Sequence, residues 1–159
     1  MIKIKRSGVF ETNSSSSHSI CISTEIDYVV PNYQETITIS GGEYHSGTTC
    51  TSFQEKLNYI GQKFYGNPNF NKDILKEVVT EMTNCKQLIW DINNLSEGST
   101  YADSFYITKG ETVNDSDDLW DMEEAGKITD LGSPDALNEK EILKDLLFNV
   151  NSKIFCTYN

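Results

Sequence analysis

Basic residues are scarce in this chain of 159 residues, which has 13 Lys and Arg against 24 Asp and Glu and a net charge of −11. This imbalance disfavours non-specific binding to nucleic acids or anionic membranes, because both are themselves negatively charged. No run approaches the roughly 18 apolar residues that a membrane span requires. Met1–Arg6 alternates lysine with isoleucine and lacks the apolar centre of a secretory signal. We therefore expect a protein of a reducing cytoplasm, with its four cysteines as free thiols.

The sequence also lacks the short motifs that mark common enzyme sites. It has neither the Gly-Lys-Ser/Thr of a P-loop nor the three spaced glycines of a dinucleotide fingerprint. Nothing in it resembles a nucleophile elbow. No reaction is therefore fixed, no cofactor is expected, and a binding protein is favoured over an enzyme.

Length and apolar periodicity predict a single α+β domain over residues 1–159. Alternating apolar residues predict strands at 1–6, 20–30, 36–40, 88–92, 101–108 and 154–158. Helical spacing predicts helices at 53–64, from about 71, and from 134. Ser52 or Thr51 with Glu55 is placed to form a capping box, and the first two helices should be antiparallel neighbours. The expected architecture is a single mixed or antiparallel sheet with about three helices packed on it.

The most unusual stretch is RSGVFETNSSSSHS at residues 6–19, where the hydroxyl run Ser14–Ser17 precedes His18. Because the run has no hydrophobic period, we expect an ordered loop at one end of a sheet. Its N–H groups and hydroxyls could hold a phosphate or carboxylate, although a turn that satisfies its own backbone fits equally well. A catalytic Ser16–His18 pair, with Asp91 or Asp103 as the orienting acid, is a less favoured interpretation. The candidate ligand-binding residues are Ser14, Ser15, Ser16, Ser17, His18 and Glu43.

Two histidines and two cysteines supply the ligand types of a structural zinc site, namely His18, Cys21, His45 and Cys50. Their spacing matches no known zinc finger, and His18 and Cys21 would lie on opposite faces of a regular strand. Cys21 also lies between two isoleucines, which is typical of a small core residue. We therefore expect buried thiols rather than a bound metal.

Acidic residues concentrate at 111–145, where twelve acids and three lysines account for −9 of the net charge. Asp115 and Asp117 resemble the start of an EF-hand loop, but position six is Trp120 instead of glycine, so calcium is not expected. The segment is either a solvated face or an acidic patch, anchored by Leu119 and Trp120, that enters a basic groove on another protein. The candidate partner-binding residues are Asp115, Asp117, Asp118, Trp120, Asp121, Glu123 and Glu124.

The phrase RSGVFETNSSSSHSI resembles the opening of a group of tailed-phage proteins, in which a short basic strand precedes F-E-T-N-S-S-S-S-H-S. Residues 41–44, Gly-Gly-Glu-Tyr, match a second phrase that is common in the group. The resemblance covers about the first third of the chain and implies that the two phrases converge on one site. It also implies a phage or prophage origin and expression in a bacterial cytoplasm, but no catalytic role.

Two functions follow as hypotheses. The first is a phage accessory protein that binds and inhibits a host defence or nucleic-acid-handling protein, using its acidic surface as a nucleic-acid mimic. Its partner would be a host protein with a basic surface. The second is a small nucleotide- or phosphate-binding protein or enzyme built on the hydroxyl run. A structural phage component is also open, and the sequence leaves the oligomeric state undetermined.

Overall fold

The computed structural model describes residues 16–41, 48–64, 68–91, 101–108, 111, 113, 119–132 and 137–158. Within these ranges the chain is α+β, as predicted. The strands are β1 Ser16–Ser23, β2 Thr36–Ile39, β3 Thr49–Cys50, β4 Gln87–Trp90, β5 Tyr101–Ile107, β6 Ile128–Gly132 and β7 Lys153–Tyr158. The helices are α1 Phe53–Phe64, α2 Lys72–Thr83, α3 Leu119–Glu124 and α4 Lys140–Phe148. None of these helices has the length and apolarity needed to cross a membrane. The predicted strand at 1–6 lies outside the described residues.

The main sheet is five-stranded and mixed, in the order β3-β7-β1-β5-β6. Its central strand β1 is parallel to β5 and antiparallel to β7. β2 and β4 form a second, two-stranded parallel sheet, so the predicted single sheet is in fact a main sheet and a small one. α1 packs on β2 and α2 on β4.

Strand alternation divides the core between the two faces of the main sheet. Ile20 and Ile22 of β1 belong to the larger cluster, which also contains the buried apolar residues of α1, α2 and α4. Cys21 faces the other way, into a smaller cluster with Ile107 of β5 and Phe155 of β7. The central strand is therefore covered on both faces, which explains its unbroken burial from Ser19 to Ser23.

Local signals set the helix starts. The predicted capping box is present, because the Glu55 N–H donates to Ser52 Oγ (3.2 Å) and the Ser52 N–H donates to Glu55 Oε1 (3.1 Å). Asn71 caps α2 by accepting hydrogen bonds from the N–H groups of Asp73 and Ile74. The last helix begins at Lys140, later than the predicted start at 134.

Several predictions that depended on tertiary contacts were wrong. α1 and α2 each pack more closely on α4 than on each other, so the predicted pairing of α1 with α2 is not the main contact of either helix. The strand predicted at 88–92 is present as β4, but its residues alternate between exposed and half-buried instead of lying in the core, and Ile89 is exposed. Residues 26–30 continue no strand and make a single bridge, between Tyr28 and Asn149. β6 was not predicted at all.

Candidate functional site

The second half of the hydroxyl run is strand, not loop. β1 begins at Ser16, and residues 17–21 are paired with β5 on one side and β7 on the other. A strand paired on both sides directs its N–H groups to its neighbours, so Ser17 and Ser19 cannot offer theirs to an anion. The loop prediction is therefore wrong from Ser16 onward. Ser14, Ser15 and Glu43 lie outside the described residues, and their ligand-binding role stays a prediction.

A Ser–His–acid site needs an acid beside His18, and neither residue paired with His18 in the sheet is acidic. His18 lies between Ala102 of β5 and Cys156 of β7. Asp103 is one position further along β5. Asp91 follows β4 and donates its N–H to the small sheet. The register thus places neither proposed acid opposite His18.

The four proposed metal ligands do not form one site. Cys21 and Cys50 belong to different core clusters, on opposite faces of the main sheet. No group of three or more His, Cys, Asp or Glu in the described residues could hold a metal ion, and His45 lies outside those residues. Cys21 and Cys50 therefore cannot bind one ion together, and the roles of His18 and His45 as metal ligands stay predictions.

The buried thiols are also poorly activated. Burial raises the pKa of Cys21 to about 12, although the Lys153 ammonium lowers it slightly. A hydrogen bond with Cys156, together with burial, raises the pKa of Cys50. Both thiols stay protonated at neutral pH, whereas nucleophilic attack and metal binding need the thiolate.

α3 presents acidic side chains from a fixed helix. Leu119 and Met122 are buried in the smaller core cluster, while Asp121 and Glu124 are exposed and Glu123 is half-buried. Leu119 is thus a core residue, and its predicted role as an anchor in a partner's groove is wrong. Asp115, Asp117, Asp118 and the side chain of Trp120 lie outside the described residues.

A fully buried asparagine organises the end of the main sheet, and no sequence signal revealed it. The Asn149 amide donates to the carbonyl oxygens of Ser23 (3.1 Å) and Glu25 (3.0 Å). Its Oδ1 accepts from the N–H groups of Asp27 and Asn151, both at 3.1 Å. Four hydrogen bonds satisfy the amide completely and attach the chain after β1 to the turn between α4 and β7.

A buried lysine completes this turn. Lys56 of α1 is 1% exposed, and its ammonium donates to the carbonyl oxygens of Leu146 (2.9 Å) and Asn149 (3.0 Å). These carbonyls lie at the C-terminal end of α4, where the helix dipole favours a positive charge. Burial nevertheless lowers the pKa of Lys56 to about 8. Lys56 is therefore a structural cap rather than a free amine.

Three further contacts attach the segment that follows β1. The Tyr28 hydroxyl donates to the buried carboxylate of Asp145, and the Lys144 ammonium lies 5.1 Å from the Tyr28 ring centroid. The Val29 N–H donates to the Phe148 carbonyl oxygen at 2.9 Å. Residues 24–29 are therefore fixed to α4 and the turn after it.

Large apolar side chains are exposed on this segment, on the residues that follow it and on the turn after α4. We define the apolar patch as five side chains that are 41–61% exposed, namely Ile26, Val29, Val30, Tyr33 and Val150. The Val150 N–H donates to the Asp27 carbonyl oxygen (3.0 Å), which places Val150 beside the segment. Ile89 of the small sheet is the other exposed large apolar residue in the described ranges. The patch gathers apolar surface that the fold leaves uncovered.

Comparisons with known proteins give no family. No family model matches the chain, no curated protein matches it, and no solved structure matches it.

Proposed function

We propose that this protein is a phage accessory protein that binds and inhibits a host defence or nucleic-acid-handling protein through an acidic surface that mimics nucleic acid. The proposal rests on α3, which is fastened to the sheet by Leu119 and Met122 and turns Asp121 and Glu124 to solvent. Acids held on a fixed helix lose less entropy on binding than acids on a mobile segment. The chain around them supplies most of the net charge of −11.

The electrostatics set the expected behaviour of the complex. A strongly negative protein attracts a basic cleft over about 8 Å at physiological salt, and this attraction falls as salt screens it. Phosphate groups of a nucleic acid would compete for the same basic cleft. The phrase at residues 6–20 supports a phage origin, which would place expression in the cytoplasm of a bacterial host.

The test is capture from host lysate by the immobilised protein, followed by titration of the captured protein after purification. We expect the affinity to fall about tenfold or more between low and physiological salt. We also expect nucleic acid to displace the complex. An affinity that does not change with salt would reject the proposal.

A matched pair of variants separates the acidic surface from net charge alone. The first variant converts Asp117, Asp118, Asp121 and Glu123 to their amides and should lose about tenfold or more in affinity. The control removes the same number of charges from exposed acids outside the 111–145 segment, namely Glu35, Asp73, Glu77 and Glu81. It should stay close to wild type. Equal losses would mean that only net charge matters, and no loss in the first variant would refute the proposal.

In the nucleotide- or phosphate-binding alternative, the N–H groups that hold the anion must belong to residues before Ser16, because β1 uses the later N–H groups in strand pairing. No described observation favours it. Titration with inorganic phosphate and with ATP, compared between wild type and a Ser14→Ala/Ser15→Ala variant, tests this alternative separately. Binding that the variant loses would support it.

A further inference from the structure

The apolar patch is exposed although the backbone of residues 27–29, within it, is held in place. The Asp27 N–H donates to Asn149 Oδ1, the Val29 N–H donates to Phe148 O, and Tyr28 is attached to Asp145. Tyr28 is the apolar side chain of this stretch that packs against the core. Several large apolar side chains left exposed on one part of a folded protein mark an interaction site. A fixed backbone lowers the entropy lost when such a site is covered.

The patch begins close to the acidic part of the chain. The Thr24 N–H donates to the carbonyl oxygen of Ile107, the last residue of β5 (2.9 Å). The N–H of the following residue, Thr108, donates to the Lys127 carbonyl oxygen (2.9 Å). Lys127 directly precedes β6 and follows α3. Glu25 and Glu111 also line one small cavity. The segment that carries the patch therefore starts at the end of the sheet where the α3–β6 connection lies.

Charge decides between a second copy of this chain and a different partner. Two copies would bring together surfaces that each carry −11 overall, and the exposed acids Glu25 and Asp27 flank the patch. Like charges at an interface are destabilising. A segment that combines apolar and basic side chains would instead cover Ile26 and Val29 while its cations face these acids.

We infer that the apolar patch is the anchor site for the partner, and that it binds a basic segment with apolar side chains. This inference rests on the proposed function and identifies the chemistry of the partner. The acids provide attraction and orientation, while the patch provides the desolvated centre of the interface. Ile26, Val29 and Tyr33 thus take the anchoring role that the sequence assigned to Leu119.

The test uses two synthetic peptides of equal charge, one alternating lysine with leucine and the other alternating lysine with serine. Wild-type protein should bind the leucine peptide about tenfold more tightly than the serine peptide, since a few apolar side chains become buried. The variant Ile26→Ser/Val29→Ser/Tyr33→Ser should bind both peptides with the weaker affinity. Ile89→Ser, an exposed apolar position outside the patch, should keep the full preference. Circular dichroism confirms that each variant is folded.

The outcomes separate this inference from the function on which it rests. If the patch variant keeps the preference for leucine, the inference fails while the acidic interface stands. If the four acidic-to-amide changes at 117, 118, 121 and 123 leave both affinities unchanged, the proposed function fails. Sedimentation equilibrium adds a third result, because a wild-type dimer that the patch variant dissolves would show that a second copy covers the patch and would overturn the inference.

Discussion

Replacing Asn149 with alanine should be among the most destabilising single changes in this protein. The side chain makes four hydrogen bonds of 3.0–3.1 Å from a fully buried position, two as donor and two as acceptor. Asn149→Ala removes all four and leaves the Ser23 carbonyl oxygen and the Asp27 N–H without these partners. The variant therefore loses both the bonds and the attachment of residues 24–29 to the turn after α4.

The size of the loss in stability depends on how deeply the groups that lose their partners are buried, more than on the number of hydrogen bonds. A hydrogen bond contributes about 1 kcal/mol net, but a buried group left unsatisfied costs about 1–3 kcal/mol. The groups around Ser23 are buried and those around Glu25 and Asn151 reach solvent, so water can replace part of the loss. We expect a decrease of about 3–4 kcal/mol in the free energy of unfolding.

Urea unfolding measured by circular dichroism gives this value directly. Asn138→Ala is the matched control, because the half-buried Asn138 side chain also bonds two backbone groups, the Asn71 N–H (2.8 Å) and the Asn69 carbonyl oxygen (2.7 Å), and both bonds are exposed to solvent. It should lose only about 1 kcal/mol. If the two variants were equally stable, the buried amide of Asn149 would not organise this end of the sheet.

Two further predictions concern other buried contacts. In wild type the pKa of Lys56 is lowered from 10.5 to about 8 in the folded state, so the unfolded chain binds the Lys56 proton more tightly than the folded protein does. Lys56→Met has no ammonium at this position and serves as the reference. The free energy of unfolding of wild type, minus that of Lys56→Met, should therefore rise by about 2 kcal/mol from pH 7 to pH 10. Urea titrations of both proteins at each pH measure this difference, and a fall would contradict the lowered pKa of Lys56. In Gly61→Ala the new Cβ would lie 2.1 Å from Ile39 Cγ2, so the variant should lose about 1–2 kcal/mol through overpacking despite alanine's better helix propensity. A more stable Gly61→Ala protein would show that α1 does not pack this closely on β2.

Features set by neighbouring residues were predictable from the sequence. The capping box of Ser52 and Glu55, the start of α2 at Asn71 and the strand near the C-terminus depend on side chains a few residues apart. Such local signals need no knowledge of the rest of the chain. These elements formed where the pattern predicted them.

Features set by long-range pairing were not predictable. Serines have low strand propensity, yet Ser16 and Ser17 are strand because partners from β7, about 140 positions away, pair with them. The alternation at Ile26, Tyr28 and Val30 suggested a strand, but this stretch makes only one bridge and turns apolar side chains to solvent.

The candidate binding surface could not be predicted, because it depends on which apolar residues are buried, and the composition does not reveal this. In the sequence, Leu119 and Ile26 are both simply apolar residues. Only the fold shows that Leu119 is buried in the core and that Ile26 is exposed. A buried asparagine such as Asn149 is likewise indistinguishable from a turn asparagine until its partners are known.

Amide hydrogen exchange of the free protein tests most directly the claim that the segment after β1 is held rigid before any partner binds. The Asp27 and Val29 amides donate to Asn149 Oδ1 and Phe148 O, so we predict that they exchange nearly as slowly as the amides of β1. Exchange at the rate of an unfolded chain would contradict the account, because the exposed apolar side chains would then belong to a mobile segment and not to a prepared binding surface.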